Sequence, residues 1–221
     1  KQLKSPSYLW NLRKELHSRH FDMTLDLQCI AKSAIVSLLS GSPEKYGYWE
    51  LREGSQLVNK ALVGAHKYDH VIERHLDTVR ALGGEVDGVE FPMPHDHAAE
   101  GKIRNRLSEL GVTDDYVVVV PGARWIVKEW PLLNFGELCI RLCESGKKVI
   151  IAGSPDDAEK GQFIENYVKS DNLINLVGQT TMAELIELIR HCHIFISADT
   201  GPLHIANALK KPLIALFGTT S

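Results

Sequence analysis

Residues 193–218 read HIFISADTGPLHIANALKKPLIALFG. The apolar run HIFISA ends at a polar turn, Asp199-Thr200-Gly201-Pro202, and a short amphipathic segment leads to a second apolar run after Lys211. Short apolar runs rich in β-branched and aromatic residues, bounded by turn signals, read as buried strands. Pro202 suits the first position of the intervening helix, where its missing N–H costs nothing. The unit is strand, turn, helix, strand, and so short a crossover through a helix makes the strands parallel.

Working outward, the same pattern recurs. YVVVVPG from Tyr116, KKVIIAG from Lys147 and LINLVG from Leu173 read as strands, and 134–145, 156–169, 181–190 and 202–210 read as helices. Strands this apolar, alternating with helices, predict a parallel sheet covered on both faces. Right-handed crossovers then bring the loops after each strand to one rim. Those loops are Pro121-Gly122-Ala123, Gly153-Ser154-Pro155, Gly178-Gln179-Thr180, Asp199-Thr200-Gly201 and Gly218-Thr219-Thr220. Open sheets of this kind bind ligands at that rim.

The first part of the chain is less regular. Leu9, Leu12 and Leu16 predict a helix over 7–20, FDMTLDL a strand over 21–27, and CIAKSAIVSLLSG a helix closed by Gly41. Pro43 to Glu53 reads as irregular, 55–82 as helical up to Gly83-Gly84, 91–94 as a linker or extended edge, and 97–110 as a helix ended by Gly111.

Composition bounds the function. The 221 residues are 44% hydrophobic and 24% charged, which describes a globular protein with a real core. A net charge of -3 gives no bulk reason to expect nucleic acid, although Lys1, Lys4, Arg13, Lys14, Arg19 and Lys32 can make one face locally positive. No run of apolar residues is long enough for a membrane span. Of the four cysteines, Cys139 and Cys143 lie one helical turn apart and are expected to be small buried hydrophobes rather than metal ligands or a disulfide. The chain starts without methionine and stops immediately after a strand, so it is expected to be incomplete at both ends.

The rim residues suggest an anion site. Free amides at the start of the helix after Asp199 can receive a diphosphate, Gly201 permits close backbone approach, Thr200 offers a hydroxyl, and His204 lies in the first turn. Asp199 itself reads equally as the residue that orders the turn. Arg124 or Lys128 can neutralise the anion, and Asp156 or Asp157 either favours its own helix start or meets a ribose hydroxyl. Thr181 and Glu184 have capping-box spacing, with Met182 and Leu185 available as an apolar wall beside a base. Dinucleotide, P-loop, nucleophile-elbow and zincin motifs are absent. His17, His20, His66, His70, His75, His95 and His97 show no diagnostic ligand spacing, so no metal and no cofactor is expected.

In combination, PGARWIVKEWP, AGSPDD, NLVGQTTMAEL and SADTGPLHIANALKKPLIALFG resemble glycosyltransferase family 9, the ADP-heptose:lipopolysaccharide heptosyltransferases. LDLQCIAKSA and HVIERHLDTVRALGG resemble the family's amino-terminal half. The resemblance implies an α/β GT-B fold of two Rossmann-like domains, here an acceptor domain over 1–112 and a nucleotide-sugar domain over 113–221, with the break near 112–115. It implies inverting transfer of heptose from ADP-L-glycero-D-manno-heptose to the lipopolysaccharide inner core. Another nucleotide sugar, or a noncatalytic nucleotide- or glycan-binding role, is the alternative.

Residue by residue, the resemblance implies that Lys128, Asp157, Met182, Asp199, Thr200, Gly201 and His204 bind the donor, with Asp157 standing where the family often has a glutamate. Gln28, Lys32 and Arg74 are the implied acceptor residues, with Cys29 replacing a family glycine. The general base is expected in sequence preceding residue 1, so neither Asp22 nor Asp26 is assigned that task. Implied partners are the nucleotide sugar and the inner-core acceptor, met at the cytoplasmic face of the bacterial inner membrane by peripheral contact.

Overall fold

The structure, a computed structural model, describes residues 5–112 and 115–218. Lys1, Lys4, Thr219, Thr220 and part of the expected break at 112–115 lie outside them. The chain divides into two compact units, up to Val89 and from Glu90 onward.

The first unit contains α1 (Pro6–His17), β1 (Met23–Asp26), α2 (Ala31–Leu39), β2 (Glu44–Tyr48), β3 (Lys60–Leu62) and α3 (Val71–Ala81). Its sheet has the order β1-β2-β3, all parallel, with Leu25 opposite Tyr46 and Tyr46 opposite Lys60. Gly41, at φ +71°, ends α2 as expected, and a Cβ there would strike the His17 ring. Two expectations fail. EKYGY is a strand, although its charges and glycine conceal any alternation. Residues 55–82 are not one helix: a single 3-10 turn (Ser55–Leu57) and β3 precede α3. The cause is a buried polar anchor, Asn59, which donates to Asp26 Oδ2 at 2.9 Å and accepts from Ser37 Oγ at 2.6 Å. A buried amide group costs free energy unless bonded, so these contacts outweigh helical periodicity.

The second unit contains α4 (His97–Glu109), β4 (Tyr116–Val120), α5 (Leu132–Glu144), β5 (Lys148–Ile151), α6 (Ala158–Val168), β6 (Leu173–Asn175), α7 (Met182–His191), β7 (Ile194–Ala198), α8 (Gly201–Ala208) and β8 (Leu213–Leu216). The compact unit therefore begins earlier than the break expected near 112–115. Helix α4 lies in this unit because Ile103 and Leu107 bury their side chains in its core with Leu188 and Ile189 of α7.

The five strands are parallel in the order β6-β5-β4-β7-β8. All five residues of β4 are buried, and the pleat sends them to opposite sides. Tyr116, Val118 and Val120 pack with α4, α7 and α8, while Val117 and Val119 pack with Phe135, Cys139 and Ile164. Each buried valine contributes roughly 1.5–3 kcal/mol, so one strand anchors both layers. The chain runs outward from β4 to β6 and returns to β7 on the other side of β4. The sheet thus switches direction between β4 and β7, where the loops that follow diverge and leave a crevice. No helix among the described residues is long and apolar enough to cross a membrane.

Candidate functional site

The crevice at the switch point is a cleft of about 550 Å3 in the second unit. The loops after β4, β5, β6 and β7 line it, and it gathers Lys128, Asp157, Met182, Asp199, Thr200, Gly201 and His204. All seven donor-side residues singled out in the sequence therefore line one cleft.

Lys128 closes the 3-10 turn Ile126–Lys128 and reaches from the β4 loop to the β7 loop, its Nζ 2.5 Å from Asp199 Oδ2. Both side chains are mostly buried, 26% and 15% exposed, so the pair is sheltered from the screening that weakens surface ion pairs. His204 is 75% exposed, with Nε2 3.9 Å from Asp199 Oδ1. Asp199 consequently stands between two basic side chains.

Thr200 precedes α8 but does not cap it with its side chain. Its Oγ1 is buried and has no hydrogen-bond partner among the described residues. A Cβ on Gly201 would meet nothing within 4 Å among the described residues, so their packing does not demand a glycine there. The first amides of α8 carry the positive end of the helix dipole.

On the other side, Asp157 fills the space beside Gly122, where a Cβ would come within 2.1 Å of its carboxylate. Its Oδ2 accepts from Ser154 N at 3.2 Å and Ser154 Oγ at 2.6 Å, and its Oδ1 from Lys160 Nζ at 3.1 Å. Burial pushes the Asp157 carboxyl up, but the Ser154 and Lys160 hydrogen bonds outweigh it and hold it below the usual carboxylate range. Lys160 also bonds Glu129, which accepts from the Ala123 amide at 3.3 Å. Burial pushes the Lys160 ammonium down, yet Glu129 and Asp157 outweigh it and leave it raised. This chain of contacts ties the β4 loop to the β5 loop. Sequence reading missed Lys160 and Glu129: the i,i+3 spacing of Asp157 and Lys160 is the only local signal, and Glu129 joins them through the fold.

Thr181 and Glu184 form the expected capping box, with bonds of 2.8 and 3.3 Å between side chains and amides. Met182, 63% exposed, follows the cap at the cleft. Arg124 is exposed, its guanidinium 5.8 Å over the Trp125 ring.

In the first unit, Gln28 and Lys32 line a shallow depression of about 490 Å3 with Thr24, Asp26 and Ser33. Arg74 does not line it: it is half-buried on α3, with Nε lacking a hydrogen-bond partner among the described residues. Asp26 is occupied structurally, accepting from the Gln28 and Cys29 amides at 3.0 and 2.9 Å and from Asn59. Cys29 adopts φ +57° at the position where the family resemblance has glycine, and its buried Sγ lies 2.9 Å from Asp26 O.

The sequence profile of glycosyltransferase family 9 (heptosyltransferase) matches residues 9–221. Lipopolysaccharide heptosyltransferase 3 of Escherichia coli K12 is 30% identical over 95% of this chain and 62% of its own length. Lipopolysaccharide heptosyltransferase 2 of the same strain is 27% identical over 95% of this chain and 63% of its own. The chain thus spans a little over three-fifths of these relatives. Among solved structures, E. coli ADP-heptose lps heptosyltransferase II superposes with a TM-score of 0.78 at 26% identity, covering 96% of this chain and 68% of that one. A family 9 glycosyltransferase from Veillonella parvula gives 0.84 at 19% identity, covering 97% and 62%, a likeness of fold alone. The α/β units with parallel sheets are those of the GT-B heptosyltransferases, and the chain belongs to glycosyltransferase family 9.

Proposed function

We propose that the protein transfers heptose from ADP-L-glycero-D-manno-heptose to the inner core of lipopolysaccharide, with inversion at the anomeric carbon. The observation that carries this reading is the Lys128–Asp199 pair beside Thr200 and the open face of Gly201. In this arrangement Lys128, His204 and the first amides of α8 receive the diphosphate, and the unpartnered Thr200 hydroxyl donates to a phosphate oxygen. Negative charge grows on the departing ADP, so fixed donors placed there favour bond cleavage more than they favour ground-state binding. Asp199 holds Lys128 in place and balances the cationic side chains before donor arrives.

Met182 flanks the adenine. A carboxylate has about four lone-pair sites, so Asp157, which already accepts from Ser154 and Lys160, still has capacity for a ribose hydroxyl. In the first unit Gln28 and Lys32 meet the acidic acceptor at their shared depression, while Arg74, outside it, is assigned to the acceptor side by the family resemblance alone. The α2 start is partly committed, because the Ala31 amide donates to Glu53 at 3.3 Å, so Lys32 supplies the accessible charge there. The reaction needs a base on the acceptor hydroxyl. Asp26 is not assigned that role: it is buried and its carboxylate already orders the turn before α2 through the Gln28 and Cys29 amides and Asn59. Work on a lipid-linked acceptor places the protein at the cytoplasmic face of the inner membrane.

The test measures ADP release and acceptor mass gain with the intact protein, a panel of sugar nucleotides and heptose-deficient core acceptors. A mass gain of one heptose with ADP-heptose is expected. Transfer of a different sugar alone overturns the donor assignment, and tight ADP binding without any transfer favours a noncatalytic binding protein.

A further inference from the structure

Away from the cleft, the start of α4 assembles a group of imidazoles and carboxylates. Asp96 caps the helix by accepting from the Ala98 and Ala99 amides at 3.0 Å, which sets His95 and His97 on either side of it with Glu100 in the first turn. The rings of His95 and His97 lie 4.2 Å apart, centre to centre. Both turn a nitrogen to the same oxygen: His95 Nε2 is 2.9 Å and His97 Nδ1 3.6 Å from Glu100 Oε2. The three ligand atoms lie within 4.8 Å of one another.

The other oxygen of Glu100 is separately held, with Arg104 Nη2 at 3.0 Å and His191 Nε2 at 3.1 Å from Oε1. His191 Nε2 is buried and forms no hydrogen bond among the described residues, so the cluster contains one more imidazole than its hydrogen bonds use there. Glu187, fully buried on α7, stands 3.6 Å from His95 Nε2 and holds Arg190 and the Asp96 amide. Burial pushes the Glu100 carboxyl up, but the His95 hydrogen bond and the charges of Arg104, His95 and His191 outweigh it and keep it lowered.

We propose that His95 Nε2, His97 Nδ1 and Glu100 Oε2 form a binding site for a divalent transition-metal ion of the zinc class, with water completing the coordination. Bonds of about 2.0–2.1 Å in a tetrahedron put neighbouring ligand atoms roughly 3.3–3.4 Å apart. The observed 2.9 and 3.6 Å bracket that spacing. The remaining edge closes by rotation of His97, whose side chain is 84% exposed and free to turn. Imidazole and carboxylate donors suit zinc and its neighbours rather than calcium or magnesium, which prefer oxygen alone. Arg104 acts as the outer partner, holding Oε1 of Glu100 so that Oε2 faces the ion, with His191 close by on the same side. The ion clips the segment before α4 to the helix it enters, remote from the donor cleft, and takes no part in the transfer proposed above.

The histidine spacing in the sequence raised no expectation of a metal, because His95, His97 and Glu100 become a set only when the Asp96 cap bends the chain. The experiment is calorimetric titration of Zn2+ into untagged, chelator-treated protein, with Co2+ absorption as a second readout of coordination. One saturable site is expected, weakened at least about tenfold in His97→Ala and in His95→Ala. At free Zn2+ of about a hundred times Kd, the second unit should melt roughly 5 to 10 °C higher in wild type and not in the variants. His97 is too exposed for its loss to unfold the protein, so the comparison holds. Absence of saturable binding overturns the proposal, as does unchanged binding in both variants, which would locate the ion elsewhere.

Discussion

Lys128 Nζ and Asp199 Oδ2, 2.5 Å apart, join the loops after β4 and β7 across the point where the sheet changes direction. The pair sets a basic group at the start of α8 and keeps it there by charge rather than by packing. In the proposed donor complex, an incoming diphosphate would find its cation already oriented, which would reduce the ordering cost of binding. Lys128→Ala should raise the Kd for ADP about 10- to 100-fold, the range for one lost charge-assisted hydrogen bond. His204→Ala, at an exposed side chain, should weaken ADP with almost no change in Tm. ADP titration alongside thermal unfolding checks both, and wild-type affinity in the two variants would remove the phosphate roles.

Lys160 makes a different prediction, because it touches Glu129 and Asp157 rather than the open cleft. Removing it leaves two mostly buried carboxylates without their cation. Lys160→Met should cost about 1–3 kcal/mol, and about 2–4 °C in Tm for each of those, since unpaired buried charge is expensive. Donor KM should rise more than kcat falls, because the β4 and β5 loops lose their tether while Lys128 stays paired. Lys160→Arg should recover part of both effects. Equal loss in Met and Arg variants would mean that shape, not charge, matters at this position.

Sequence reading succeeded where the physics was local or periodic. The valines of β4, the Thr181–Glu184 cap and the Pro202 helix start all announce themselves within a few residues, and a parallel sheet with its rim follows from their alternation. It failed where long-range polar contacts decide. Asn59, bonded to Asp26 and Ser37, interrupts what reads as a continuous helix, and β2 is a strand because β1 and β3 flank it rather than because EKYGY alternates. Helix α4 reads as the end of the first half, yet Ile103 and Leu107 find their apolar partners on α7. Glu129 and Lys160 are 31 residues apart and carry no mutual signal. Seven donor-side residues converge in one cleft, whereas Arg74 does not reach the depression that Gln28 and Lys32 share.

All four cysteines are free and buried, as the helical spacing of Cys139 and Cys143 suggested for that pair. Burial pushes the thiols of Cys139, Cys192 and Cys29 up, to about 12, 11 and 11, with Asp26 adding to the effect at Cys29. A thiolate is the reactive species, so a thiol at these values is inert at neutral pH. DTNB should therefore label essentially no cysteine in the native protein and all four after denaturation. Rapid native labelling of one thiol would show that its surroundings open far more often than close packing allows.

The pH dependence of the first unit should follow Asp77 and His66. His66 Nδ1 is 2.7 Å from Asp77 Oδ1, the His66 amide donates to Asp77 Oδ2 at 2.7 Å, and Arg80 adds a bond of 2.8 Å. The His66 hydrogen bond, against the opposing effect of burial, brings the Asp77 carboxyl down to about 2 from its ordinary 3.8, and the same bond raises His66 above 6.5. A lowered acid stabilises the fold above its unfolded value, and that contribution disappears as pH falls toward the folded value. A raised base does the opposite, contributing fully below its unfolded value and fading as pH rises through the folded one. The cluster should therefore stabilise most between pH 3.8 and 6.5, the two ordinary values. In His66→Gln the Tm deficit relative to wild type should be largest in that window and shrink on either side. The acid limb should also move to higher pH, because Asp77 loses its strongest partner. Thermal melts of both proteins across the range decide it, and a deficit independent of pH would reduce the pair to packing alone.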